Sequence, residues 1–138
     1  MKILFLDFDG VLHPASHGIG HLFSKAQLLQ DTMATTDIPI VISSSWRFTH
    51  TLKALTDKLP KTLSRQVIDV TGGPVIGRHS RFQEIVNYLS ARKDYSDWRA
   101  LDDSYWEFPS SCKQLIGCNP NSGITEKEMK ALGFWLNS

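Results

Sequence analysis

The stretch Lys2-Ile3-Leu4-Phe5-Leu6-Asp7-Phe8-Asp9-Gly10-Val11 constrains the fold more than any other part of the chain. A run of large apolar side chains ends in two carboxylates two residues apart, followed by glycine. A short apolar run without alternation reads as a strand buried on both faces, its carboxyl end opening into a site. Two ionised carboxylates in such a setting lose hydration and repel each other. A cation or a reaction would offset that cost, so the rest of the sequence is read for partners to Asp7 and Asp9.

The pattern recurs along the chain. Ile38 and Ile40-Val41-Ile42 form a second buried strand that stops at Ser43-Ser44-Ser45-Trp46-Arg47. Hydroxyls at such a strand end either bind an anion or cap the following helix, and one serine suffices to cap. Residues 66–70 read as a third strand, followed by the turn cluster Thr71-Gly72-Gly73-Pro74. Arg78 and Arg81 stand at the start of a helix carrying Ile85, Val86 and Leu89. Cations oppose the helix dipole there. A bound anion would relieve this, and solvated side chains at a loose helix end explain it equally well. Trp98-Arg99-Ala100-Leu101 is a fourth strand, ending in Asp102-Asp103, and residues 113–118 form a fifth.

Helices separate most of these strands. One spans residues 25–35, with Ser24 as its cap and Leu28, Leu29 and Met33 as its apolar stripe. Another covers 47–59 and is closed by Pro60. The last runs from a Thr125/Glu128 capping box to Leu136, with Met129 and Leu132 facing inward and Phe134 and Trp135 adding packing. Strands alternating with helices predict an α/β domain over residues 1–138, with a mainly parallel five-stranded sheet and helices on both faces. Ligands of such sheets sit beyond the carboxyl ends of the strands. Asp7/Asp9, Ser43/Ser44 and Asp102/Asp103 all fall there.

Composition narrows the function classes. The chain has 138 residues, 41% hydrophobic and 21% charged, and a formal net charge of +1. No whole-molecule field favours nucleic acid or membrane. Cys112 and Cys118 have neither metal-ligand companions nor disulfide-scaffold spacing, which fits a reduced, cytoplasmic setting. The N-terminal apolar run is too short for a signal peptide, and no stretch approaches the roughly 18 apolar residues of a spanning helix. Residues 10–21 read as a polar loop. Its His13, His17 and His21 have helical spacing, but Pro14, Gly18 and Gly20 oppose a helix.

Two carboxylates, a hydroxyl, a base and a further acidic pair at one sheet edge suit phosphoryl transfer. A carboxylate attacks phosphorus, Mg²⁺ screens the charge, a second carboxylate moves the proton, and hydroxyl and cation hold the phosphoryl oxygens. Asp7, which directly ends the strand, is the candidate nucleophile and Asp9 the candidate acid/base.

These residues carry a resemblance. Asp7-Phe8-Asp9-Gly10-Val11 after an apolar strand resembles the first motif of the haloacid dehalogenase (HAD) superfamily phosphatases. Ile40-Val41-Ile42-Ser43-Ser44 resembles the second motif and Asp102-Asp103 the acidic fourth. Arg81 stands where the basic third motif, usually Lys, belongs, with Arg78 as the other candidate. Ser43-Ser44-Ser45-Trp46-Arg47 and Leu101-Asp102-Asp103 are most similar to small HAD domains associated with RNA-repair proteins.

The resemblance implies a three-layer Rossmann-like fold and a Mg²⁺-dependent phosphatase working through an aspartyl phosphate. It implies Asp7 as nucleophile and metal ligand. Asp9 is acid/base and a metal ligand through its backbone carbonyl. Ser44 or Ser43, with Arg81, binds the phosphoryl group, and Asp102 with Asp103 completes the metal site. The intervals between the motifs leave no room for a large cap domain. Capless members often act on macromolecular ends, so a phosphorylated polymer terminus, nucleic acid included, is compatible with the sequence. His13, His17, Trp46, Arg47 and the 105–108 aromatic loop are candidates to line an open groove, although packing and a polar loop account for them at least as well. The rival reading is a non-catalytic Mg²⁺- or phosphate-binding module, which has no use for Asp9 as an acid/base.

Overall fold

The N-terminal apolar run lies at the centre of a sheet. The computed structural model describes residues 1–16 and 18–138, so His17 lies outside the described residues. Strands β1 (Lys2–Leu6), β2 (Ile40–Ile42), β3 (Val67–Val70), β4 (Asp97–Asp102) and β5 (Leu115–Gly117) form one five-stranded sheet in the order β3-β2-β1-β4-β5. Every pairing is parallel. The helices are α1 (Ala26–Met33), α2 (Leu52–Thr56), α3 (Lys61–Gln66), α4 (Ser80–Ser90) and α5 (Glu126–Leu136).

Both faces of β1 are covered, which is why its sequence does not alternate. Leu4 and Leu6 pack on one face with Leu29 and Met33 of α1, Leu55 of α2, Leu63 of α3 and Leu132 of α5. Ile3 and Phe5 pack on the other face with Ile85 and Leu89 of α4 and with Trp98. Phe5 meets Tyr88 and Trp98 edge to face, each with centroids 5.8 Å apart. This is the predicted α/β architecture, and no cap domain interrupts it among the described residues.

The chain grows outward from β1 through β2 to β3, then returns to the opposite side of β1 for β4 and β5. Such a reversal opens a crevice at the carboxyl ends of the central strands. Leu6 pairs with both Ile42 and Leu101. Asp7, Ser43 and Asp102 are therefore the next residues on three adjacent strands. The backbone ladder still holds them: Ser43 N–H donates to Leu6 O (2.9 Å) and Asp7 N–H to Leu101 O (3.1 Å).

Several boundaries differ from the sequence reading. Helix α1 starts at Ala26 with Lys25, not Ser24, in the cap position and no side-chain cap bond. Phe23, at φ 59°, turns the chain just before it. The expected 47–59 helix is instead a 3₁₀ turn (Ser45–Phe48), a break and the short α2. Arg47 Nη1 donates to the carbonyls of both Ser43 and Ser44 at 2.9 Å, which folds the segment back on the strand end. Thr51 then caps α2, its Oγ1 accepting from Ala54 N–H at 3.1 Å. Pro60 does not only close the segment before it but stands at the N-cap of α3, where its missing N–H is tolerated, and β3 follows at Val67. Thr125 N–H does donate to Glu128 Oε1 at 2.8 Å. In α5, Trp135 is buried but Phe134 is 83% exposed and packs on nothing in the core. No helix among the described residues is long and apolar enough to cross a membrane.

Candidate active site

The three strand ends meet around one guanidinium. Arg81, in the first turn of α4, puts Nη1 2.7 Å from Asp102 Oδ2 and 3.4 Å from Asp7 Oδ1. All three side chains are nearly fully buried. Asp102 Oδ1 also accepts from Ser104 N–H at 2.9 Å. Burial first, then the neighbouring Asp102, pushes the Asp7 carboxyl well above the usual carboxylate range, against the pull of Arg81. Burial likewise raises Asp102, with Arg81 and the Ser104 N–H opposing it. Burial works against the Arg81 charge, but Asp102 and Asp7 outweigh it and raise its pKa.

Asp103 completes the acidic group. Ligand oxygens of Asp7, Asp102 and Asp103 all lie within 4.8 Å of one another. Gly10, at φ +75°, packs directly on Asp103, and a Cβ built there would overlap the Asp103 carboxylate. Glycine is required at that turn both by its conformation and by this close approach. Three hard carboxylate donors, two of them buried, fit a Mg²⁺-type cation.

Asp9 does not join that cluster. Its carboxylate turns toward His13 and Trp46. His13 Nε2 is 2.8 Å from Asp9 Oδ1, and Trp46 Nε1 donates to Asp9 Oδ2 at 3.0 Å. The Asp9 side chain remains 44% exposed and lines a cleft of about 450 Å³ together with Asp7, Arg47, Arg81, Glu84 and Asp103.

The two serines are used differently. Ser44 Oγ accepts from Trp46 N–H at 3.2 Å and caps the 3₁₀ turn. Ser43 Oγ is buried without a hydrogen-bond partner among the described residues. Arg81 and Arg78 also part: Arg81 is buried among the carboxylates, whereas Arg78 is exposed. His13 lines no groove, being fully buried behind Asp9. The 105–108 loop divides as well. Phe108 is buried against Phe82, while Tyr105 and Trp106 stand in solvent.

Glu84 had no role in the sequence reading. It is buried and bridges two cations, with Oε1 3.0 Å from Arg47 Nη2 and 3.7 Å from Arg81 Nε. Its Oε2 accepts from Val75 N–H at 3.0 Å, which ties the 71–77 loop to α4. Its position three residues after Arg81 on a helix is the signal that would have found it.

A family model described as "HAD domain in Swiss Army Knife RNA repair proteins" matches residues 3–129. The chain belongs to this HAD family. No curated protein and no solved structure matches the chain. Core helices and turns fill the intervals between β1, β2 and β4, so the cleft at the strand ends stays open above Asp7 and Asp9.

Proposed function

We propose that this HAD domain is a Mg²⁺-dependent phosphatase that hydrolyses phosphomonoesters through an aspartyl phosphate on Asp7. The observation that carries the reading is the alignment of Asp7, Ser43 and Asp102 on three adjacent strands around Arg81, with Asp9 beside them and open to the cleft. Asp7, Asp102 and Asp103 would hold the metal, and Asp9 would contribute its backbone carbonyl. When bound, the metal screens the charge between nucleophile and phosphate. The Asp7 carboxylate attacks phosphorus and the ester P–O bond breaks. Asp9 gives its proton to the departing oxygen, then takes one from the water that attacks the acyl phosphate. Inorganic phosphate leaves and Asp7 is restored.

Arg81 and the Ser43 hydroxyl hold the remaining phosphoryl oxygens. Ser43 is favoured over Ser44 because its buried hydroxyl has no partner among the described residues, whereas Ser44 is used as a cap. An open cleft lined by the exposed Phe48, with the exposed Tyr105 and Trp106 lying in sequence between its lining residues Ser104 and Glu107, in a family named for RNA repair, favours a phosphorylated nucleic-acid end as substrate. The test is phosphate release from an aryl phosphate and from oligonucleotides phosphorylated at either end, with and without Mg²⁺. Mg²⁺-dependent release that Asp7→Asn reduces by on the order of 10³ or more is expected. Activity that persists in Asp7→Asn would sink the mechanism. A preference for sugar phosphates over oligonucleotides would overturn the substrate class alone.

A further inference from the structure

The Asp9 carboxylate is gripped from behind by two donors that do not line the cleft. We infer that His13 and Trp46 are positioning residues that hold Asp9 in the orientation from which it transfers a proton. The inference rests on the phosphatase reading of Asp9. His13 is fully buried, and the backbone N–H of Phe23 donates to its Nδ1 at 3.1 Å. A ring nitrogen that accepts cannot carry a hydrogen, so the hydrogen sits on Nε2 and is donated to Asp9 Oδ1 at 2.8 Å. The indole N–H of Trp46 can only donate, and it does so to Oδ2 at 3.0 Å.

Each Asp9 oxygen thus accepts an N–H from one of these rings. The plane of the carboxylate is fixed while the side chain still reaches the cleft. The donors are themselves fixed. Trp46 packs against Phe8 and Phe23, with ring centroids 5.8 and 5.4 Å away, and stacks on His50 at 5.2 Å. His13 meets Phe23 edge to face at 5.1 Å. Because Ser44 Oγ accepts the Trp46 backbone N–H, the turn that starts beside Ser43 also aims the indole. A carboxylate that needed only to be neutralised would be served by Lys or Arg. Two N–H donors from rigid aromatic rings supply direction instead.

A general acid matters most when the leaving oxygen is poor. Trp46→Phe keeps the ring packing and removes the N–H. Its hydrolysis of an alkyl phosphate should fall about 10- to 100-fold, with less than about a threefold change for 4-nitrophenyl phosphate and little change in KM. His13→Gln, whose amide can both accept from Phe23 and donate to Asp9, should retain more alkyl-phosphate activity than His13→Leu. Equal slowing of both esters, or no slowing, overturns the inference.

An NMR measurement separates this from failure of the phosphatase reading. In the folded protein the Trp46 indole N–H and the His13 Nε2–H resonances should both move in Asp9→Ala. Resonances that stay unchanged overturn the grip itself, whatever the activity. A wild-type protein without phosphatase activity, or one in which Asp7→Asn stays active, overturns the phosphatase reading and with it the positioning role.

Discussion

Asp7 and Asp9 lie two residues apart, yet they occupy opposite kinds of surroundings. Asp7 is buried among charges: Asp102, Asp103 and the Arg81 guanidinium. Asp9 is half open to solvent and held by imidazole and indole N–H groups, with Phe8 and Phe23 packed around those rings. β1 ends at Leu6, and the turn that follows carries the Asp9 carboxylate to His13 and Trp46, away from the Asp7 cluster. Environment, not residue type, divides such pairs into roles. A carboxylate crowded by like charge calls for a cation. A carboxylate held by ring N–H donors and partly exposed to a cleft is set up to exchange protons.

The largest effect should come from the charged side. Arg81→Ala leaves Asp7, Asp102 and Glu84 without a shared cation. Removing one partner of a buried ion pair typically costs about 3–5 kcal/mol, because the remaining charge stays uncompensated. Denaturant unfolding of the metal-free protein should register that loss, and Mg²⁺ should return part of it by supplying positive charge to the same carboxylates. A variant as stable as the wild type would mean that Arg81 is not what holds the acidic group together.

The amide variants of the two aspartates should move stability in opposite directions. Asp7→Asn removes a charge from a crowded site, so the metal-free protein should gain on the order of 1 kcal/mol at pH 7. The pH dependence has a defined sign. Folding raises the Asp7 pKa, so above the ordinary carboxylate range the folded state holds a proton that the unfolded state has released. The contribution is fully present below the unfolded value and is lost as pH rises through the folded one. The gap between variant and wild type should therefore be small near pH 4 and widen toward neutrality, as thermal unfolding across that range would measure.

Asp9→Asn does the reverse. One oxygen becomes an NH₂ facing an N–H donor, leaving a buried donor unpaired at a cost of about 1–2 kcal/mol. Turnover should slow while Mg²⁺ binding, measured by calorimetry, is retained. Destabilisation by Asp7→Asn and none by Asp9→Asn would erase the contrast between the two acids.

How much of this was legible follows from the kind of signal each feature leaves. The strands and their level ends were readable because an apolar run stopped by polar residues is a local pattern, as at Leu6-Asp7, Ile42-Ser43 and Leu101-Asp102. The acidic group was readable for the same reason. The segment after Ser44 was not. Its expected helix is broken by contacts from Arg47 back to the Ser43 and Ser44 carbonyls, which form only in the folded chain. The division between Phe134, exposed, and Trp135, buried with its indole N–H donating to Asp97 Oδ2 at 2.9 Å, depends on where α5 docks, not on residue type. The grip on Asp9 joins a loop histidine to a tryptophan beyond β2. Neither has a sequence spacing that points to the other, so only the fold brings them together.

The smallest effects should separate Ser43 from Ser44 and test how far the contrast between the acids extends to β2. Ser44 caps the turn that carries Trp46, so Ser44→Ala should cost about 1 kcal/mol of stability. It should also reach catalysis indirectly, by loosening the indole that holds Asp9. Ser43 Oγ bonds to nothing among the described residues, so Ser43→Ala should leave stability within about 0.5 kcal/mol. Its effect should fall on the phosphoryl group: weaker inhibition by inorganic phosphate and a lower kcat/KM for every ester alike, without the leaving-group dependence expected on the Asp9 side. If Ser44→Ala instead weakens phosphate inhibition while Ser43→Ala leaves it unchanged, the phosphoryl contact belongs to Ser44. The cap and the ligand would then share one hydroxyl, and Asp7 and Asp9 would no longer be served by separate residues at the end of β2.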